Sequence, residues 1–139
     1  VTDIQPISRI LGLKPLSSAR ELESAVAEGL PKRSVSRLAA RLYPDTREAL
    51  RYRSTIVPLA TWKRRTTRLS PAESERTERV ARVLALAEYV WDDEETARRW
   101  MFTPHPELDG RAPADAARSE LGARRVEDLL NRILYGLPV

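Results

Sequence analysis

Between positions 61 and 65 stand Thr61, Lys63, Arg64 and Arg65, four side chains that can donate hydrogen bonds to phosphate oxygens. Lysine and arginine can also donate to the O6 and N7 edge of guanine, and the threonine methyl can touch the methyl of thymine. Read on a helix opened by Val57-Pro58, these four point outward with Arg68 just beyond, while Leu59 and Trp62, three apart, point inward. A basic outer face also occurs on ordinary solvated helices. Here three short helices precede it, which is how a helix-turn-helix DNA binder is built, and the spacing predicts DNA contact through Thr61, Lys63, Arg64 and Arg65.

Other residue types that could do chemistry are sparse. His105 is the only histidine and lies between Pro104 and Pro106, with no cysteine in the chain to share a metal. It reads as a surface or packing residue. Asp92, Asp93, Glu94 and Glu95 form an acidic cluster, but at a helix start the macrodipole accounts for them. The five glycines are never paired, so no phosphate-cradling loop is expected, and no Ser/His/Asp spacing suggests a nucleophile. Neither an enzyme, nor a metal, nor a cofactor is expected.

The end of the chain carries a different pattern. Val126, Leu129, Leu130, Ile133, Leu134 and Leu137 follow helical spacing and predict one apolar stripe. Gly136 can stop that helix in a left-handed cap and Pro138 cannot continue it. Leu137, Pro138, Val139 and the carboxylate should leave as a short, stiff, apolar tail. Two readings stand for it: a free chain end, as most ends are, or a plug for a partner's cleft.

The elements positioning these groups are all helical. Residues 1–17, with Pro6, Gly12 and Pro15, read as an extended arm whose Ile7, Ile10, Leu11 and Leu13 pack on the core. Ser18 caps a helix through Ala27 that Gly29 ends, and Pro31 opens another with a Val35, Leu38, Ala39, Leu42 stripe. After Pro44-Asp45, a short helix buries Ala49, Leu50 and Tyr52. Ser70-Pro71-Ala72-Glu73 is a capping box that starts a long helix to about Val90, with Val80, Val83, Leu84, Ala87 and Trp91 inward and Glu73 mostly outside. Asp92 and Asp93 open a helix burying Ala97, Trp100 and Met101. Leu108-Asp109-Gly110 turns, Pro113 opens a short helix, and Leu121-Gly122 turns again before the final helix. The fold class is all-α, with a helix-turn-helix half, 1–69, packed on a C-terminal helical half, 70–139.

Charge divides along the same line. Residues 1–69 hold 14 Lys/Arg and 6 Asp/Glu, a net of +8; residues 70–139 hold 10 and 14, a net of −4. A polyanion partner for the first half and another partner for the second would explain this, as would solvated helix faces. No run approaches the ~18 apolar residues of a membrane span, and no signal-peptide pattern opens the sequence. Absence of cysteine fits a cytoplasmic protein.

With the residues laid out, a resemblance emerges. Ala97, Trp100, Pro104, Leu108, Gly110, Pro113, Gly122 and Gly136 resemble, in order and spacing, the toxin-binding domain of the MbcA/ParS/Xre antitoxins. The stretch RLSPAESERTERVARVLALAEYVW and the Gly29-Leu30-Pro31 triplet are similar to Xre members. Asp92 stands where Gly is usual, Met101 where Leu is, and His105 where Asn is. The resemblance implies an Xre antitoxin of a RES–Xre type II toxin–antitoxin pair. Such a protein binds a RES-domain toxin that degrades NAD⁺ and blocks its cleft with the C-terminal end, here Tyr135, Gly136, Leu137, Pro138 and Val139. Its N-terminal half dimerises and binds promoter DNA, so that the complex, a homodimer or a larger hetero-oligomer with the toxin, represses its own operon. A stand-alone helix-turn-helix regulator or scaffold without a toxin is the alternative.

Overall fold

A computed structural model describes residues 3–65 and 67–139. The chain forms two compact units that divide between Ala81 and Arg82. Among the described residues there is no strand, only an isolated antiparallel bridge between Pro31 and Arg68. Among the described residues no helix is long and apolar enough to cross a membrane.

The first unit opens with α1, Ile4–Leu11, where an extended arm was expected. The signal is local: Asp3 caps the helix by accepting from Gln5 N, and Pro6 falls in the first turn, where no intrahelical N–H is required. Helical spacing then buries Ile7, Ile10 and Leu11. Next come α2 (Ala19–Glu28, capped by Ser18), α3 (Lys32–Leu42), α4 (Thr46–Ile56, capped by Asp45) and α5 (Leu59–Arg64). α1 and α4 pack on α3, whose Val35, Leu38, Ala39 and Leu42 are all buried. α4 buries Ile56 instead of Leu50, which is exposed. Periodicity alone does not rank positions on so short a helix; packing on α3 and the buried Val57 that follows set its inward face.

The turn between α2 and α3 ties the unit together. Leu30 O accepts from Leu69 N at 2.8 Å and Thr67 O from Lys32 N at 3.1 Å, while Leu30 N donates to the buried Ser74 hydroxyl at 2.8 Å. Gly29 has φ 101°, and a Cβ there would sit 2.4 Å from Leu69 O, so only glycine fits. Two buried hydroxyls are paired with backbone carbonyls: Ser34 Oγ donates to Leu11 O and Thr77 Oγ1 to Glu73 O.

α6 runs Pro71–Trp91 across the division. The second unit adds α7 (Glu94–Met101), a 3₁₀ turn at Pro106–Leu108, α8 (Pro113–Ala116) and α9 (Glu120–Leu134). Asp93 caps α7, accepting from Thr96 N and Oγ1 at 2.8 and 2.7 Å; those hydrogen bonds hold its carboxyl below the usual range. Asp92 adopts φ 51°, the left-handed region that glycine enters most easily and aspartate tolerates. Gly122, expected in a turn, lies inside the first turn of α9, which Ser119 caps. What demands glycine there is space, since α8 and α9 pack so closely that a Cβ would fall 1.8 Å from Ala116 O.

Gly122→Ala should therefore force α8 from α9 and cost about 1–3 kcal/mol, the range for overpacking a filled core. Thermal unfolding followed by circular dichroism checks this; a variant as stable as the parent would contradict the close packing.

Candidate functional site: a basic helix and an exposed apolar end

The basic segment 61–65 sits on α5 and its C-terminal cap, and its side chains have unlike fates. Lys63 and Arg64 are exposed, and Arg64 Nη2 donates to Thr61 Oγ1 at 3.3 Å. Leu59, expected inward, is 52% exposed, because a six-residue helix has too little length to bury a full stripe. Trp62 is half-buried, with the Lys32 ammonium 4.4 Å and the Arg53 guanidinium 4.2 Å from its ring centroid. Lys32 Nζ also donates to Trp62 O and Arg65 O, both at 2.9 Å, and so satisfies carbonyls at the C-terminal end of α5. These cations position the helix and are not free for a ligand.

Arg65 departs furthest from expectation. Its Nε donates to Glu73 Oε1 at 3.1 Å and its Nη2 to Oε2 at 3.3 Å, a fork on a carboxylate that is only 5% exposed. Glu73, expected outside, faces inward because it serves two purposes. Its Oε1 also accepts from Ser70 N at 2.8 Å while Ser70 Oγ accepts from Glu73 N at 3.1 Å, a reciprocal capping box. Burial alone would raise the Glu73 pKa; hydrogen bonds from Arg65 and Ser70 and the arginine charge outweigh it and hold the carboxyl below 4.5. The accessible donors of the segment are thus Lys63 and Arg64, with Thr61 partly accessible.

At the other end of the chain, α9 buries Val126, Leu129 and Leu130 completely, but Leu134 and Leu137 are exposed and Ile133 only half-buried. The predicted stripe outruns the surface available to cover it. Gly136 has φ 68°; its N–H donates to Ile133 O at 3.2 Å and that of Leu137 to Arg132 O at 2.8 Å, a Schellman cap. At the cap Tyr135 is 73% exposed, and beyond it Leu137 and Val139 are each 53% exposed, a short apolar end standing in solvent.

Two arginines missed by sequence reasoning tie the 3₁₀ turn to α9. Arg125 donates to Glu107 O at 2.7 Å and to Asp109 Oδ2 at 2.9 Å; Arg132 donates to Glu107 Oε2 at 3.4 Å. These partners lie 16 to 25 residues apart, beyond any helical spacing rule. His105 caps the same turn: its Nδ1 accepts from Glu107 N at 3.0 Å, as an Asn side chain would. Arg82 joins α6 to α9 through Glu120 at 3.2 Å and Glu127 at 3.4 Å; burial pushes the Glu127 carboxyl up and Arg82 draws it back.

Comparison with known proteins bears on both places. Residues 21–82 match the model of the antitoxin Xre-like helix-turn-helix domain, and residues 86–136 that of the antitoxin Xre/MbcA/ParS C-terminal toxin-binding domain. An antitoxin Xre of Pseudomonas putida is 29% identical over 135 residues, covering 94% of this chain and 81% of that protein. Another, of Yersinia enterocolitica, is 37% identical over 89 residues, covering 61% of this chain and 60% of its own length.

Glu73→Gln should destabilise the protein by about 1–3 kcal/mol at neutral pH, since Arg65 then loses its charged partner. The folded pKa lies below the unfolded 4.5, so the carboxylate's contribution is present above that value and lost as pH falls through the folded one. Denaturant melts across pH should show the difference between parent and variant shrinking as the pH falls below 4.5. A difference independent of pH would contradict the assignment.

Proposed function

The chain belongs to the Xre family of antitoxins, and from that premise we propose that it neutralises a RES-domain, NAD⁺-degrading toxin by seating its C-terminal end in that enzyme's cleft. The supporting observation is the exposed end itself. Leu137 and Val139 are left in water beyond an α9 that buries Val126, Leu129 and Leu130, and Gly136 gives them a defined exit from the helix. Burying one such side chain in a partner contributes about 1.5–3 kcal/mol, and an end already shaped by a cap loses less entropy on docking. Tyr135, Gly136 and Pro138 complete the docking segment. The choice of a RES-domain toxin rests on the sequence resemblance, and the cytoplasm is the compartment where such a toxin meets its substrate.

In the same reading the first unit binds promoter DNA as a dimer and represses the operon. α5 is the reading helix, with Lys63 and Arg64 on phosphates or guanine edges and Thr61 beside them. Arg65 acts indirectly, by locking the end of α5 to the start of α6 through Glu73.

Deleting Leu137–Val139 should weaken toxin binding about 10- to 100-fold while leaving the melting temperature unchanged, because the three residues are exposed and outside the helices. Isothermal titration and growth of toxin-expressing cells measure this; full protection by the truncated chain would refute docking through the tail. For DNA, Lys63→Ala and Arg64→Ala should each flatten the log–log salt dependence of promoter binding by ~0.9 without affecting stability. Unchanged slopes for both variants would remove α5 from the interface.

A further inference from the structure

We propose that Arg132 is the positioning residue of the C-terminal tail, holding Pro138 and Val139 in one exit direction by strapping them to the 3₁₀ turn. The inference rests on the reading of the tail as the docking segment. Four contacts converge on this residue in the last turn of α9. Its Nη1 donates to Pro138 O at 3.4 Å, its Nη2 to Glu107 Oε2 at 3.4 Å, and its Nε lies 3.2 Å from Asp128 Oδ2. Its own carbonyl accepts from Leu137 N at 2.8 Å. The Schellman cap alone fixes the chain only as far as Leu137 N. Past that point the guanidinium holds Pro138 O, and a planar fork can hold a carbonyl and a carboxylate at once in fixed relative geometry.

The anchor is itself held. Glu107 has its carbonyl bound by Arg125 and its N–H bound by His105, so the carboxylate that Arg132 grips belongs to a turn fixed from both sides. The side chain of Arg132 is 31% exposed, so each contact contributes little to stability. What they supply together is direction: a tail already aimed loses less freedom when a partner closes on it.

The test uses the full chain, free in solution, with ¹⁵N heteronuclear NOEs at Leu137 and Val139 and the rate at which carboxypeptidase releases Val139. Arg132→Ala should lower both NOEs and speed release several-fold with the α-helical melt unchanged; Arg132→Lys should recover only part of the order, since an ammonium lacks the fork. Should Arg132→Ala fail to fold, Glu107→Ala carries the test through loosening of the same tail. Tail order equal to the parent in a folded variant overturns the proposal. In cells co-expressing a RES-domain toxin, Arg132→Ala should bind about three- to tenfold more weakly. If the tail loosens and removing Leu137–Val139 still leaves protection intact, positioning by Arg132 stands and the docking reading falls. If the truncation abolishes protection and the tail stays ordered without Arg132, docking stands and the strap falls.

Discussion

Glu73 is the constraint on which the first unit depends. One nearly buried carboxylate accepts from the Ser70 backbone and from both ends of the Arg65 fork, and so joins the close of α5 to the opening of α6. A carboxylate this far from water is tolerated because its charge is matched and its oxygens are occupied. On either side of this box, the Leu69–Leu30 hydrogen bond and the Ser74–Leu30 bond draw the same segment against the α2–α3 turn. Lys32 then reaches from α3 to the carbonyls that end α5. The short helix that presents Lys63 and Arg64 has little cohesion of its own, since six residues form barely a turn and a half. Its position is supplied from outside.

Basic residues therefore do two jobs in this unit. Of the cations between residues 31 and 69, Lys32, Arg53, Arg65 and Arg68 are engaged with a ring, a carboxylate or backbone carbonyls: Arg68 donates to Gly29 O at 2.8 Å. Net charge counts them equally with Lys63, although their donors are already taken. The long-range field of the unit remains positive, which suits attraction to a polyanion, while the short-range chemistry of recognition falls to fewer side chains.

The second unit solves a different problem with the same economy of means. Alanines and Gly122 bring α8 and α9 to backbone contact, and that tight base lets a 58-residue unit bury α9 through Leu130. Past Leu130 the surface ends before the apolar pattern does. Ile133, Leu134 and Leu137 continue the stripe into solvent, and the proposed docking rests on this overrun more than on any one residue.

Much of this was readable in the linear chain. The caps at Ser18, Asp45, Ser70 and Asp93, the stop at Gly136 and the buried stripe of α3 are determined by residues within a few positions of one another, and local spacing reports them faithfully. The helix α1 was equally local, but Pro6 masked it, since a proline that breaks a helix interior is harmless in the first turn. What tertiary structure alone decided are the meetings of distant residues: Glu73 inward instead of outward, Arg65 forked on the Glu73 carboxylate, Gly122 required by Ala116 and not by a turn, and Arg132 reaching Glu107. Periodicity states which residues share a face of a helix; which face finds cover, and which charge finds an opposite charge, is settled only when the other elements arrive.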